Sequence, residues 1–111
     1  MDCIFCKIAN KEIQSDILHE DEEVVAFKDI EPKAPVHILI IPKKHISSIN
    51  NLKEEDEMLI GRLVLIARNL AKENGISETG YRLIFNAGKD AGQTVVHIHL
   101  HLIGGIKLPF A

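Results

Sequence analysis

Residues 94–103 read TVVHIHLHLI, and the spacing of the three histidines in that stretch decides the architecture. Read as a strand, it sends alternate side chains to opposite faces. His97, His99 and His101 then share one face, while Ile98, Leu100 and Leu102 face the other way, into a core. Imidazole is polar and each buried ring nitrogen needs a partner, so packing alone does not account for such a row. With a strand rise of about 3.4 Å per residue, neighbours in the row stand about 6.8 Å apart and the outer pair about 13.6 Å apart. Neighbours can share a metal ion with bonds of about 2.0–2.1 Å, which the outer pair has difficulty doing. A metal site and acid–base or nucleophilic chemistry both stay open, and the row is more naturally divided between roles than used as one three-histidine metal site.

The segments around the row narrow the choice. AGKDAGQ (residues 87–93) is a glycine-containing loop that runs straight into it. Such turns expose backbone N–H groups, and the Thr94 hydroxyl adds a donor. Donors that hold negative oxygens beside a neutral imidazole describe a phosphate or phosphoryl-transfer site. YRLIFN (residues 81–86) alternates as a strand, and EVVAFKDI (residues 23–30) is strand-like in its β-branched and aromatic content. VHILIIP (residues 36–42) is a nearly continuous apolar strand expected to be buried on both faces, so its one polar residue, His37, needs a reason. CIFCKIANKE (residues 3–12) reads as a short helix or turn that closes before Ile13. One long helix is expected over roughly residues 53–74, capped by Asn51 with Glu54 and stopped by Gly75. Leu59, Leu63, Ile66, Ala67 and Leu70 form its main apolar face, with Met58 and Leu65 almost opposite. A long helix among strands without regular βαβ alternation implies an α+β fold with a mainly antiparallel sheet.

The 111 residues suffice for a single domain, 1–111, and 46% hydrophobic content supports a core without help from metal or disulfide. That length also excludes a barrel amidohydrolase, which uses His-x-His as well. A net charge of −3 without a basic run argues against nucleic-acid binding. No apolar run is long enough to span a membrane, and the N-terminus lacks the basic leader and apolar length of a signal peptide. The expectation is a cytoplasmic protein in which Cys3 and Cys6 stay reduced, as a metal or redox pair rather than a structural disulfide. Their two-residue spacing lets both thiolates reach one ion. His19, in the charged segment HEDEE, is expected on the surface.

HIHLHLI (residues 97–103) matches the His-φ-His-φ-His-φ-φ signature of the histidine triad superfamily, φ being apolar. IFCKI, FKDIEPKAPVHILIIPKKHI, FNAGKDAGQT and the closing IGG resemble its Hint branch in order and spacing over nearly the whole chain. The resemblance implies a five-stranded antiparallel sheet with one long helix and a homodimer that packs the long helices together. It also implies hydrolysis of the P–N bond of purine nucleoside 5′-phosphoramidates.

His99 matches the nucleophile that becomes nucleotidylated. His101 and Thr94 match residues near the phosphate, with backbone help around Gly92 and Gln93, and His37 matches a buried supporting histidine. Asn86 and Asp29 match residues near the ribose, and Phe5, Ile8, Ile13, Phe27 and Ile30 match the apolar wall around the base. Members with this Cys-x-x-Cys hold a structural zinc ion, with Cys3, Cys6, His45 and His97 in the ligand positions. After GG the chain has only IKLPFA, without the tryptophan-containing tail of eukaryotic members, so the preferred leaving amine stays open. Dinucleoside polyphosphate hydrolysis, non-catalytic purine-nucleotide binding and a Cys-x-x-Cys redox role are the competing functions.

Overall fold

A computed structural model describes residues 3–110. In chain order the elements are helix α1 (Ile4–Ala9), strands β1 (Ile17–Glu20), β2 (Val24–Lys28) and β3 (Val36–Pro42), helix α2 (Glu57–Glu73), and strands β4 (Tyr81–Phe85) and β5 (Leu100–Gly104). The strands form one antiparallel sheet in the order β1-β2-β3-β5-β4. This is the α+β architecture expected: five strands, one long helix and a short N-terminal helix.

The two helices cover opposite faces of the sheet. On one face Leu63, Ile66, Ala67, Leu70 and Ala71 of α2 pack on Val24, Ala26, Ile38, Ile40, Leu100 and Leu102. On the other, Phe5, Ile8 and Ala9 of α1 pack on Val25, Phe27, Leu39 and Ile41. Both faces of β2 and β3 are thus apolar and dry, which is why those strands read as continuous hydrophobic runs. On β5 the α2 side takes the leucines, and His101 sits opposite Leu39 on the α1 side. The alternation read from residues 97–103 therefore aims the histidines at the α1 face.

Four details differ from the expectation. The β5 ladder begins at Leu100, so residues 94–99 lie outside it, although Ile98 N–H still bonds to the Ile46 carbonyl at 2.7 Å. The helix is not capped by Asn51 and Glu54. Asn51 ends a separate 3-10 turn and accepts from the Ser48 hydroxyl, while the Asp56 carboxylate reaches back to Lys53 N–H at 2.9 Å and receives Lys44 Nζ at 2.7 Å. The short edge strand β1 had no individual sequence reading. In it, His19 is half-buried and bonded to Asp21 at 2.7 Å, rather than free on the surface.

The closing Gly104–Gly105 pair has a steric cause. A Cβ on Gly104 would meet the Ile76 side chain at 2.8 Å and the Gly80 carbonyl at 3.2 Å, and Gly105 has φ +95° against Pro35.

Candidate functional site

Four histidines line up along the α1 face; main-chain groups set the tautomers of His97, His99 and His37, and the His37 ring sets that of His101. A carbonyl can only accept, so an imidazole nitrogen bonded to one must carry the proton. His97 Nε2 lies 2.8 Å from the Pro42 carbonyl, which makes it the N–H and leaves a lone pair on Nδ1. His99 Nδ1 lies 2.8 Å from the His97 carbonyl, which leaves the lone pair on Nε2. His37 works in the opposite sense: its Nδ1 accepts from Lys33 N–H at 3.0 Å, so its Nε2 carries the proton. That N–H donates to His101 Nδ1 at 3.0 Å, and His101 is left with an N–H on Nε2. The row consequently offers an unprotonated nitrogen on His99 beside a donor on His101, with ring centroids 4.9 Å apart.

Burial favours the neutral form of His37 and His101. It pushes His101 down to about 4, with the neighbouring His99, His37 and Lys33 helping and Asp29 opposing. His37 is lowered by burial too, against the pull of Asp29, whose Oδ2 lies 3.3 Å from His37 Nε2. The other oxygen of Asp29 accepts from Glu31 N–H at 2.8 Å, which holds the carboxylate in place at the turn after β2.

His101 opens into a cleft of about 530 Å³ with His37, Asp29, Ile30, Glu31, Lys33, Ile84, Asn86, Thr94 and Ile103 on its walls. That volume is in the range of small-molecule sites. The structure thus brings Asp29, Ile30, Asn86, Thr94, His37 and His101 to one cleft. Ile30 is 94% exposed and forms an apolar lip. Phe5, Ile8 and Phe27 do not line the cleft but are buried in the α1-side core, where Phe5 meets Phe27 edge-on at 5.6 Å and His99 edge-on at 5.0 Å. Ile13 is exposed and does not line that cleft. The N–H groups of Gly92 and Gln93 are engaged inside the loop, bonded to the Lys89 and Gly88 carbonyls. The Gln93 side chain clamps the same loop, accepting from Gly88 N–H and donating to the Ser47 and Val95 carbonyls. Gly88 and Gly92 supply the positive φ angles that the turn requires. Lys33, Pro42, Ile84 and Ile103 were not singled out from sequence. Lys33 and Pro42 act through main-chain groups, which leave no trace in residue type.

His97 turns away from the cleft. Its Nδ1 lone pair meets Cys3 Sγ at 3.3 Å, Cys6 Sγ at 3.6 Å and His45 Nδ1 at 3.1 Å, and Cys6 Sγ lies 3.4 Å from His45 Nδ1. A tetrahedral ion with Zn–S bonds near 2.3 Å and Zn–N bonds near 2.0–2.1 Å has ligand–ligand edges of roughly 3.3–3.8 Å. Four of the six pairs are already at about that spacing and all four atoms lie within 4.8 Å of one another, so this group could hold a metal ion. The electrostatics agree. Burial, then the hydrogen bond and charge of Cys3, push the Cys6 thiol up to about 11, so two thiolates there call for a cation. Burial holds His97 down at about 4, in the neutral form that a metal requires. Cys3 also caps α1, its sulfur accepting from Cys6 N–H.

Comparison with known proteins gives a consistent picture. A family model described as "Scavenger mRNA decapping enzyme C-term binding" matches residues 2–109. The chain is 50% identical to the purine nucleoside phosphoramidase of Escherichia coli (strain K12) over 105 residues, which is 95% of this chain and 88% of that protein. A HIT family hydrolase from Legionella pneumophila Philadelphia 1 superposes with a TM-score of 0.97 at 49% identity, covering 98% of this chain and 97% of the other. A zinc-bound histidine triad family protein from Mycobacterium smegmatis superposes with a TM-score of 0.80 at 33% identity, over 93% and 74% of the two chains.

Proposed function

The chain belongs to the histidine triad family, and we propose that it is a purine nucleoside phosphoramidase using His99 as nucleophile and carrying a structural zinc ion. The observation that carries this reading is the His99 tautomer. With Nδ1–H committed to the His97 carbonyl, Nε2 presents its lone pair next to the His101 donor.

The reaction is a double displacement. His99 Nε2 attacks the α-phosphorus, a P–N bond forms to the imidazole, and the P–N bond to the amine breaks as the amine takes up a proton. As His99 becomes cationic, the His97 carbonyl bonded to its Nδ1–H takes up part of the charge. His101 Nε2–H, oriented by His37, and Thr94 are the donors to the phosphoryl oxygens. Thr94 takes over the backbone role expected of Gly92 and Gln93, whose N–H groups are occupied. Water then attacks phosphorus, releases the nucleoside monophosphate, gives up to solvent a proton that balances the one the amine took from solvent, and returns the electron pair to His99 Nε2. In this reading Asp29 and Asn86 take the ribose; both line the cleft, with Ile30 and Ile84 as its apolar walls.

Cys3, Cys6, His45 and His97 are the zinc ligands in this reading, and the ion cross-links α1 to the segments after β3 and before β5. A single domain of residues 1–111 and a cytoplasmic location fit it as well. No helix among the described residues is long and apolar enough to cross a membrane. Met58 and Leu65, 88% and 51% exposed on α2 away from the core, support a homodimer through that helix face.

The test is a substrate panel with purified protein: adenosine 5′-phosphoramidate against dinucleoside polyphosphates. Turnover of the phosphoramidate, with nucleotide trapped on a His99 peptide by rapid quench, is the expected result. Preference for polyphosphates, or trapping elsewhere, overturns it.

A further inference from the structure

His97 belongs to both clusters at once. Its Nδ1 faces Cys3, Cys6 and His45, its Nε2–H is tied to the Pro42 carbonyl, and its own carbonyl receives His99 Nδ1–H. The ring therefore has no spare rotation once Nδ1 is engaged, and the carbonyl that fixes the His99 tautomer sits on the same residue.

Two further contacts run in parallel. Phe5, between the two cysteines on α1, stands edge-on to His97 at 6.0 Å and to His99 at 5.0 Å. Ile98 N–H, between the two histidines, bonds at 2.7 Å to the carbonyl of Ile46, the residue after His45. Every ligand of the metal group is thus one or two residues from a group that touches His99 or its immediate neighbour. Residues 94–99 have no ladder partner in the sheet, so these contacts, together with the Gln93 bond to the Val95 carbonyl, hold their position.

We infer that His97 is a positioning residue for the nucleophile, and that filling the Cys3–Cys6–His45–His97 group tunes catalysis by setting the place and tautomer of His99. The inference rests on the zinc and nucleophile assignments proposed above. Losing the metal leaves Asp29, His37, Asn86 and His101 in place, because they are held by the turn after β2, by β3, by the end of β4 and by β5; Thr94 is the cleft residue that belongs to the loosened segment. The expected signature is a fall in the chemical step without a matching loss of nucleotide affinity. Outer partners of this kind typically change activity by about 10–100-fold when lost.

The experiment compares the zinc-loaded protein, the same protein stripped by a chelator and refilled with zinc, His45→Asn, and His45→Cys, which restores a fourth ligand. Four quantities are read on each: zinc content, the 15N signature of the His99 ring, the single-turnover rate of nucleotidyl-His99 formation, and AMP affinity. Stripping and His45→Asn should abolish the single Nδ1–H tautomer signature and slow intermediate formation by about 10–100-fold with AMP affinity kept. Refilling and His45→Cys should restore both. An unchanged His99 signature and rate in zinc-free protein overturns the coupling while leaving both sites standing. A rate that falls only together with the far-ultraviolet circular dichroism also overturns it, and reduces the metal to general support of the fold. Protein that never holds an equivalent of zinc, or that traps nucleotide away from His99, refutes the underlying assignments instead.

Discussion

Replacing His37 by Phe should separate the relay from the packing. His37 is 6% exposed, and Phe keeps a ring of similar breadth in the same apolar strand, so no large cavity opens. Two hydrogen bonds vanish: Lys33 N–H to Nδ1, and Nε2–H to His101 Nδ1. The first leaves a partly buried amide short of an acceptor, which costs about 1–3 kcal/mol of stability. The second leaves His101 free to carry its proton on Nδ1, which turns a lone pair instead of an N–H toward the phosphate. Loss of one oriented donor to a developing oxyanion costs about 10²–10³ in rate, or about 2.7–4 kcal/mol of barrier. Because His101 still carries the proton on Nε2 for part of the time, the expected fall in kcat lies at or below the lower end of that range, with KM little changed. His37→Gln keeps an amide donor and an acceptor on one side chain and should recover part of the loss. Steady-state kinetics on adenosine 5′-phosphoramidate and urea denaturation give the two numbers independently. If His37→Phe loses stability but turns over normally, the histidine relay has no part in catalysis and His37 is only a packed strand residue.

Removing the proposed nucleophile is a harsher change. His99→Ala should keep the fold and much of the nucleotide affinity, since Ile98 and Leu100 still anchor the segment, while turnover falls by several orders of magnitude in a quenched-flow or steady-state assay. His101 titrates from about 4 in the fold against 6.5 for an ordinary histidine, so the unfolded chain binds the extra proton first. Stability is therefore full above about 6.5 and is lost as pH falls toward about 4, and kcat declines at the lower end of that window; a pH series of denaturation and rate checks both. Leu63→Ala, at a fully buried position of α2, should cost about 2–5 kcal/mol by chemical denaturation. Met58→Glu combined with Leu65→Glu should convert the proposed dimer to a monomer by light scattering, with the monomer's secondary structure unchanged.

Much of this molecule is local in its sequence, and what is not local was not legible. The strand alternation of residues 97–103 and the apolar run at β3 depend only on near neighbours, so both face assignments follow from reading the chain. The helix start does not: residues 53–56 read KEED, and any of three carboxylates could reach back over the first turn. Asp56 does so because Lys44, twelve residues away in sequence, lies against it. Strand β1 is four residues long, irregular in its pairing with β2, and followed by acidic residues, so its apolar content is too slight to register.

The deepest gap concerns the histidines themselves. Their residue type announces chemistry, but which nitrogen is free depends on the Pro42 and His97 carbonyls and on Lys33 N–H, and every residue has a carbonyl. A main-chain acceptor carries no residue signature. In the proposed reading, three imidazoles with the same side chain become a metal ligand, a nucleophile and a hydrogen-bond donor through the groups that the fold brings to them: the Pro42 carbonyl at His97, the His97 carbonyl at His99 and the His37 ring, itself set by Lys33 N–H, at His101. Their order along the strand follows from this. His97 stands where the chain leaves the end of β3, close to Cys3 and Cys6. His101 stands inside the ladder, close to His37. His99 lies between them and has contacts with both.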